Sequence, residues 1–138
     1  MKKTWFVAII ALLAIAVLGG YAVFDNIFPK AVPIKCPDIQ SVTSVVLFDN
    51  NGGFVEVETT DFEEILTNIA NGQPTRAMSV NDYPTAKSYY TVEVYTEARQ
   101  YRYFLYVENS QVYIEIPYEG IYKTDHQFLD FVAEHFED

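Results

Sequence analysis

The sequence predicts an α+β domain, an antiparallel sheet with two helices on one face, preceded by an N-terminal transmembrane helix. Three observations predict it. Trp5–Phe24 is an uncharged apolar run of about twenty residues, which at about 1.5 Å rise per residue spans a hydrocarbon core of about 30 Å. Two segments carry apolar residues at helical spacing behind a capping residue. Between and before them lie runs that alternate with a period of two, rich in Val, Ile, Tyr and Phe. The expected order within the domain is β-β-α-β-β-β-α.

Taken in order, residues 1–24 form a transmembrane anchor or signal segment. Lys2 and Lys3 precede the run and Asp25 follows it, which places the N-terminus in the cytoplasm and the rest outside. The run is longer than a signal peptide's apolar core and ends in bulky Tyr21, Val23 and Phe24, so an uncleaved anchor is favoured over secretion after cleavage near Gly20-Tyr21-Ala22. The membrane is thus the first partner, through residues 5–24. Residues 25–38, with Pro29, Pro33 and Pro37, read as a semi-rigid spacer. Cys36 is the only cysteine; it cannot close an internal disulfide, and its place in the spacer sets it outside the core.

The domain proper is expected over 39–138. Ser41–Phe48 and Phe54–Glu58 flank an Asn/Gly-rich connection and make a hairpin. Asp49-x-Asn51-x-Gly53 has the opening of a calcium loop, but Thr60 stands where the closing acid belongs, so turn chemistry is the better reading. Thr60 with Glu63 forms a capping box for a helix whose stripe is Phe62, Ile65, Leu66 and Ile69, and Gly72 ends it in a left-handed turn. Gln73–Lys87 is a long loop of turn-forming and polar residues. Tyr89–Tyr95, Tyr101–Val107 and Val112–Ile116 then alternate as a three-stranded meander, which Pro117 terminates. Thr124 and Gln127 cap the last helix, with Phe128, Phe131 and Val132 in its stripe.

Charge and motifs narrow the function. The net charge is −10; with Lys2 and Lys3 set apart, the remainder carries −12, a surface that repels nucleic-acid phosphates. There is no Gly-x-Ser-x-Gly elbow, phosphate loop, dinucleotide fingerprint or Cys/His cluster, and no cofactor or metal is expected. His126 and His135 fall on the last helix without the i, i+4 spacing of a zinc pair. An enzyme is not expected; the alternative is an envelope-directed hydrolase using the carboxylates of Glu115 and Glu119. The main expectation is an extracytoplasmic module binding a protein, peptide or cell-envelope component. Its candidate surfaces are the sheet face holding Tyr89, Tyr106 and Tyr113, and the 73–87 loop with Asn81, Asp82 and Pro84.

Ser79-Val80-Asn81-Asp82-Tyr83-Pro84 and Ile114-Glu115-Ile116-Pro117-Tyr118-Glu119-Gly120-Ile121-Tyr122, behind the Lys-plus-apolar start, resemble a family of small extracytoplasmic domains of unknown function in Gram-positive bacteria. The resemblance implies no activity. It does imply that the loop before the sheet and the exit from it belong together. Residue types supply a physical version: Gly120 permits a turn with positive φ, Tyr118 and Tyr122 fold back over the loop, and Asp82 or Asn81 accepts a tyrosine hydroxyl.

Overall fold

The computed structural model describes residues 2–137 and divides the chain into two units, one ending at Lys30 and one beginning at Ala31. The first unit is a helix, α1 (Lys2–Ile27), apolar all round and exposed along its length. Thr4–Ile27 is long and apolar enough to cross a membrane. The Lys2 and Lys3 side chains, on which the expected orientation rests, lie outside the described residues.

The second unit is a seven-stranded antiparallel sheet with helices. Its strands are β1 (Val42–Phe48), β2 (Phe54–Glu56), β3 (Gln73–Pro74), β4 (Tyr90–Thr96), β5 (Gln100–Glu108), β6 (Gln111–Ile116) and β7 (Gly120–Thr124). Its helices are α2 (Phe62–Ala70) and α3 (His126–Glu134). The spatial order is β2-β1-β4-β5-β6-β7-β3, so β4 passes back beside β1 and the tyrosine-rich strands occupy the centre. Alternation does what the period of two requires. Val45, Leu47, Val92, Val94, Leu105 and Ile114 are buried in one cluster with Ile65 and Ile69 of α2 and Phe128 and Val132 of α3.

The turns are explained by their residues. Asn109 and Ser110 both have positive φ, 50° and 62°, which is the type I′ geometry that matches strand twist in a two-residue hairpin. Asp49 Oδ1 accepts from the backbone N–H of Asn51 at 2.9 Å and of Gly53 at 2.6 Å, so this carboxylate is spent on the β1–β2 turn.

Several expectations are corrected. The sheet has two more strands than expected: Pro117 ends β6, but the chain reverses within three residues and re-pairs as β7, Ile116 opposite Gly120. Gln73–Pro74 adds to the free edge of β7, where a residue without an N–H is tolerated. Thr124 therefore pairs with Val112 as the last residue of β7, and Asp125 caps α3 instead, accepting from Phe128 N–H at 3.1 Å. Thr60 does not cap α2; it lies inside a single 3₁₀ turn, Thr59–Asp61, that leads into the helix.

Neither Gly72 nor Gly120 is a left-handed turn residue. Both serve close approach: a Cβ on Gly72 would lie 2.9 Å from Ile34 Cδ1, and one on Gly120 would lie 2.5 Å from Ala31 Cβ. The positive φ expected at Gly120 is at Tyr118, φ 63°.

The same contacts move the start of the domain ahead of residue 39. Ala31 N–H donates to the Thr75 carbonyl at 2.9 Å, Tyr122 Oη donates to the Val32 carbonyl at 2.7 Å, and Ile34 is buried. Residues 31–36 are part of the fold, not a spacer. Cys36 is half-buried against the core, its Sγ 3.5 Å from the Leu66 carbonyl, and burial raises its pKa.

Candidate functional site

The sheet face opposite the main core cluster carries Glu93, Tyr95, Arg102, Phe104, Tyr106, Tyr113 and Glu115, as alternation predicts. It is not bare. The segment between β3 and β4 lies across its middle, leaving Phe104 1% and Tyr106 6% exposed. Tyr83 and Tyr89 close on Phe104 with ring centroids at 5.7 and 5.3 Å, and Tyr106 packs on Tyr113 at 5.8 Å. Rings buried this way contribute roughly 1.5–3 kcal/mol each relative to exposure, so this face is a second, smaller core. The expected binding surface of Tyr89, Tyr106 and Tyr113 is corrected accordingly: Tyr106 is buried, and Tyr89 and Tyr113 are half-buried.

Two carboxylates are buried in that layer, each supplied with donors. Glu115 Oε1 accepts from Ser79 Oγ at 2.7 Å, and the Glu115 charge acts on the neighbouring Tyr106 phenol. Glu93 accepts from Tyr95 Oη, and from Arg102 through Nε and Nη2 at 2.8 Å each. The phenols respond. Burial, then the Glu115 charge, raises the Tyr106 pKa, and the bond to Glu93 raises that of Tyr95. Glu119 is exposed on the turn after β6, whereas Glu115 is enclosed, so this pair does not meet in one cleft.

The loop residues fall as follows. Asn81 and Asp82 are exposed, and Pro84 is buried. Tyr118 Oη donates to Asp82 Oδ1 at 2.8 Å, which ties the loop to the β6–β7 turn, and this bond raises the Tyr118 pKa. Tyr122 is 1% exposed, its Oη donates to the Val32 carbonyl at 2.7 Å, and it forms part of the lining of the groove beside it.

Beside the Asp82–Tyr118 link, a groove of about 710 Å³ opens at one end of the sheet. Its cause is a lapse in pairing. β5 pairs with β4 down to Gln100, opposite Tyr95, but pairs with β6 only as far as Phe104, opposite Glu115. Continuing the register would set Arg102 against Pro117. Proline has no N–H to give, and the turn at Tyr118 then carries the chain away. One wall is therefore Gln100–Tyr103, and the other is Ile116, Pro117 and Glu119.

The free edge has a defined bonding pattern. Thr96 N–H donates to the Arg99 carbonyl at 3.0 Å and closes the β4–β5 hairpin. Bonded and non-bonded pairs alternate in an antiparallel ladder, so Tyr101 and Tyr103 turn their backbone groups toward β4. Gln100 and Arg102 turn theirs into the groove. Arg99, stacked over the Tyr101 ring at 4.1 Å, Lys35 and Arg102 put three cations around the groove against Asp82 and Glu119. With Glu93, which pairs with Arg102, the charges here balance, in a domain that is otherwise strongly acidic. A second depression, of about 630 Å³, adjoins Tyr89, Tyr106 and Leu129.

Deeper in the groove wall, Tyr103 has a buried hydroxyl with no hydrogen-bond partner among the described residues, and burial followed by the neighbouring Cys36 raises its pKa. Lys35, Arg99, Tyr101 and Arg102 were not singled out as site residues from sequence. The signal was present as two arginines in Arg99–Arg102 of an acidic chain, with a proline where the facing strand should continue.

Fold and groove together define a small α+β domain with a notched central sheet. Residues 30–123 match the family DUF5301, described as a domain of unknown function (DUF5300), and the chain belongs to that family. It is also similar to an NMR structure of a protein from Ruminococcus gnavus, at 32% identity and a TM-score of 0.57, covering 65% of this chain and 89% of that one. No curated protein matches the sequence.

Proposed function

We propose that the protein is a membrane-anchored, extracytoplasmic binding module of the bacterial envelope. Its ligand, a protein segment or an envelope component, seats in the groove between β5 and the β6–β7 turn. The observation that carries this reading is the groove itself: an open, aromatic and cation-lined site built where the sheet stops pairing. α1 supports the anchor by its length and composition. The shared core cluster supports placing both helices on one face, which leaves the groove at the end of the sheet uncovered.

Catalysis is not part of this reading, because Glu115 is buried and held by Ser79 and does not join Glu119 in the groove wall.

The test is photo-crosslinking in intact cells, with a benzophenone amino acid replacing Glu119 in one full-length variant and Tyr113 in another. Adducts are expected from position 119 and not from position 113. The reverse pattern would count against the groove and return the reading to the tyrosine face.

A further inference from the structure

We infer that the groove takes an extended peptide, which completes the sheet by pairing with the free edge of β5 and presents a carboxylate to Arg99 and Lys35. This rests on the groove being the binding site and adds how and what it binds.

Three observations converge on it. Gln100 and Arg102 direct backbone N–H and C=O groups into the groove, two residues apart, as a strand partner requires. β5 is a central strand with an unfilled half-edge, flanked by side chains that fix its position; it is not a sheet margin, where charge, proline or a bulge commonly blunts pairing. The charge around the notch is balanced where the domain as a whole is strongly acidic, with Lys35, Arg99 and Arg102 against Asp82, Glu119 and Glu93. Arg102 is already paired with Glu93 and Asp82 with Tyr118, so Arg99 and Lys35 are the cations left to meet an incoming carboxylate. A neutral glycan would use neither the backbone alternation nor the cations.

The experiment uses the full chain in lipid nanodiscs and a pool of synthetic octapeptides with free C-termini. An enriched peptide is then resynthesised with single N-methyl groups along its backbone. Strand addition predicts that N-methylation at alternate positions weakens binding about tenfold or more, while the positions between lose about twofold or less. Gln100→Pro removes an N–H that faces the groove and not β4, so it should weaken the same peptide with the β4–β5 ladder intact. Arg99→Gln should weaken the free-acid peptide more than the same peptide with its carboxylates amidated, and an equal loss for both would overturn the carboxylate contact.

A flat N-methyl profile, with groove resonances still shifted by the peptide, overturns strand addition and leaves the groove as the site. Groove shifts produced by a cell-wall glycan fragment, and by no peptide, overturn the peptide and also leave the groove. If neither peptide nor glycan perturbs the groove, both readings fall.

Discussion

At the residue scale the chain uses tyrosine as a neutral donor and packing plate. Tyr95 and Tyr118 bond to the carboxylates of Glu93 and Asp82, the Glu115 charge acts on Tyr106, and each of the three phenols has a raised pKa. The consequence for stability has a definite sign. Tyr103 and Tyr106 are raised in the fold and would ionise near their ordinary value of 10.0 once unfolded. The stability they contribute is complete below pH 10 and is lost as pH rises through their folded values. Ultraviolet titration should therefore show the exposed phenols among the 11 tyrosines ionising reversibly, and the Tyr103 and Tyr106 phenolates appearing only with unfolding. Reversible titration of all of them in a folded chain would refute the buried assignments. The Tyr118–Asp82 bond was legible from residue type and the likeness of two motifs. The enclosure of Glu115 was not, because a carboxylate's fate depends on which loop lies over it.

Among the elements, periodicity made the long strands and both domain helices legible, but alternation selects only the main core face and not Glu93, Phe104, Tyr106 and Glu115, which are buried on the other. Terminator residues misled. Pro117 and Gly120 read as an end, yet they belong to a tight reversal, and β7 escaped notice. Gly120 is glycine because Ala31 presses on it, a contact between segments far apart in sequence that no local pattern reports. Gly120→Ala should thus destabilise the domain by about 1–3 kcal/mol through overpacking, read as a lower denaturant midpoint at unchanged slope. Gly53→Ala meets only the Asp49 side chain, the nearest atom at 3.0 Å, and should cost less. The groove was illegible for a related reason. A notch is a partner strand's absence, and it emerges only once the registers of β4–β5 and β5–β6 are both known.

For the whole molecule, a helix able to span a bilayer precedes a domain that begins at Ala31. The proposed anchor predicts that carbonate extraction leaves the full chain in the membrane fraction, and that protease added outside intact protoplasts digests residues after Lys30. A chain released by carbonate, or protected from outside protease, would contradict anchor or orientation respectively.

Everything functional proposed for this chain depends on one half-edge of β5 being free. Amide hydrogen exchange followed by NMR at four consecutive residues measures it directly. Tyr101 and Tyr103, bonded to β4, should exchange slowly, while Gln100 and Arg102 exchange fast in the free protein and slow down when ligand binds. Equal protection at all four residues in the free protein would contradict the account.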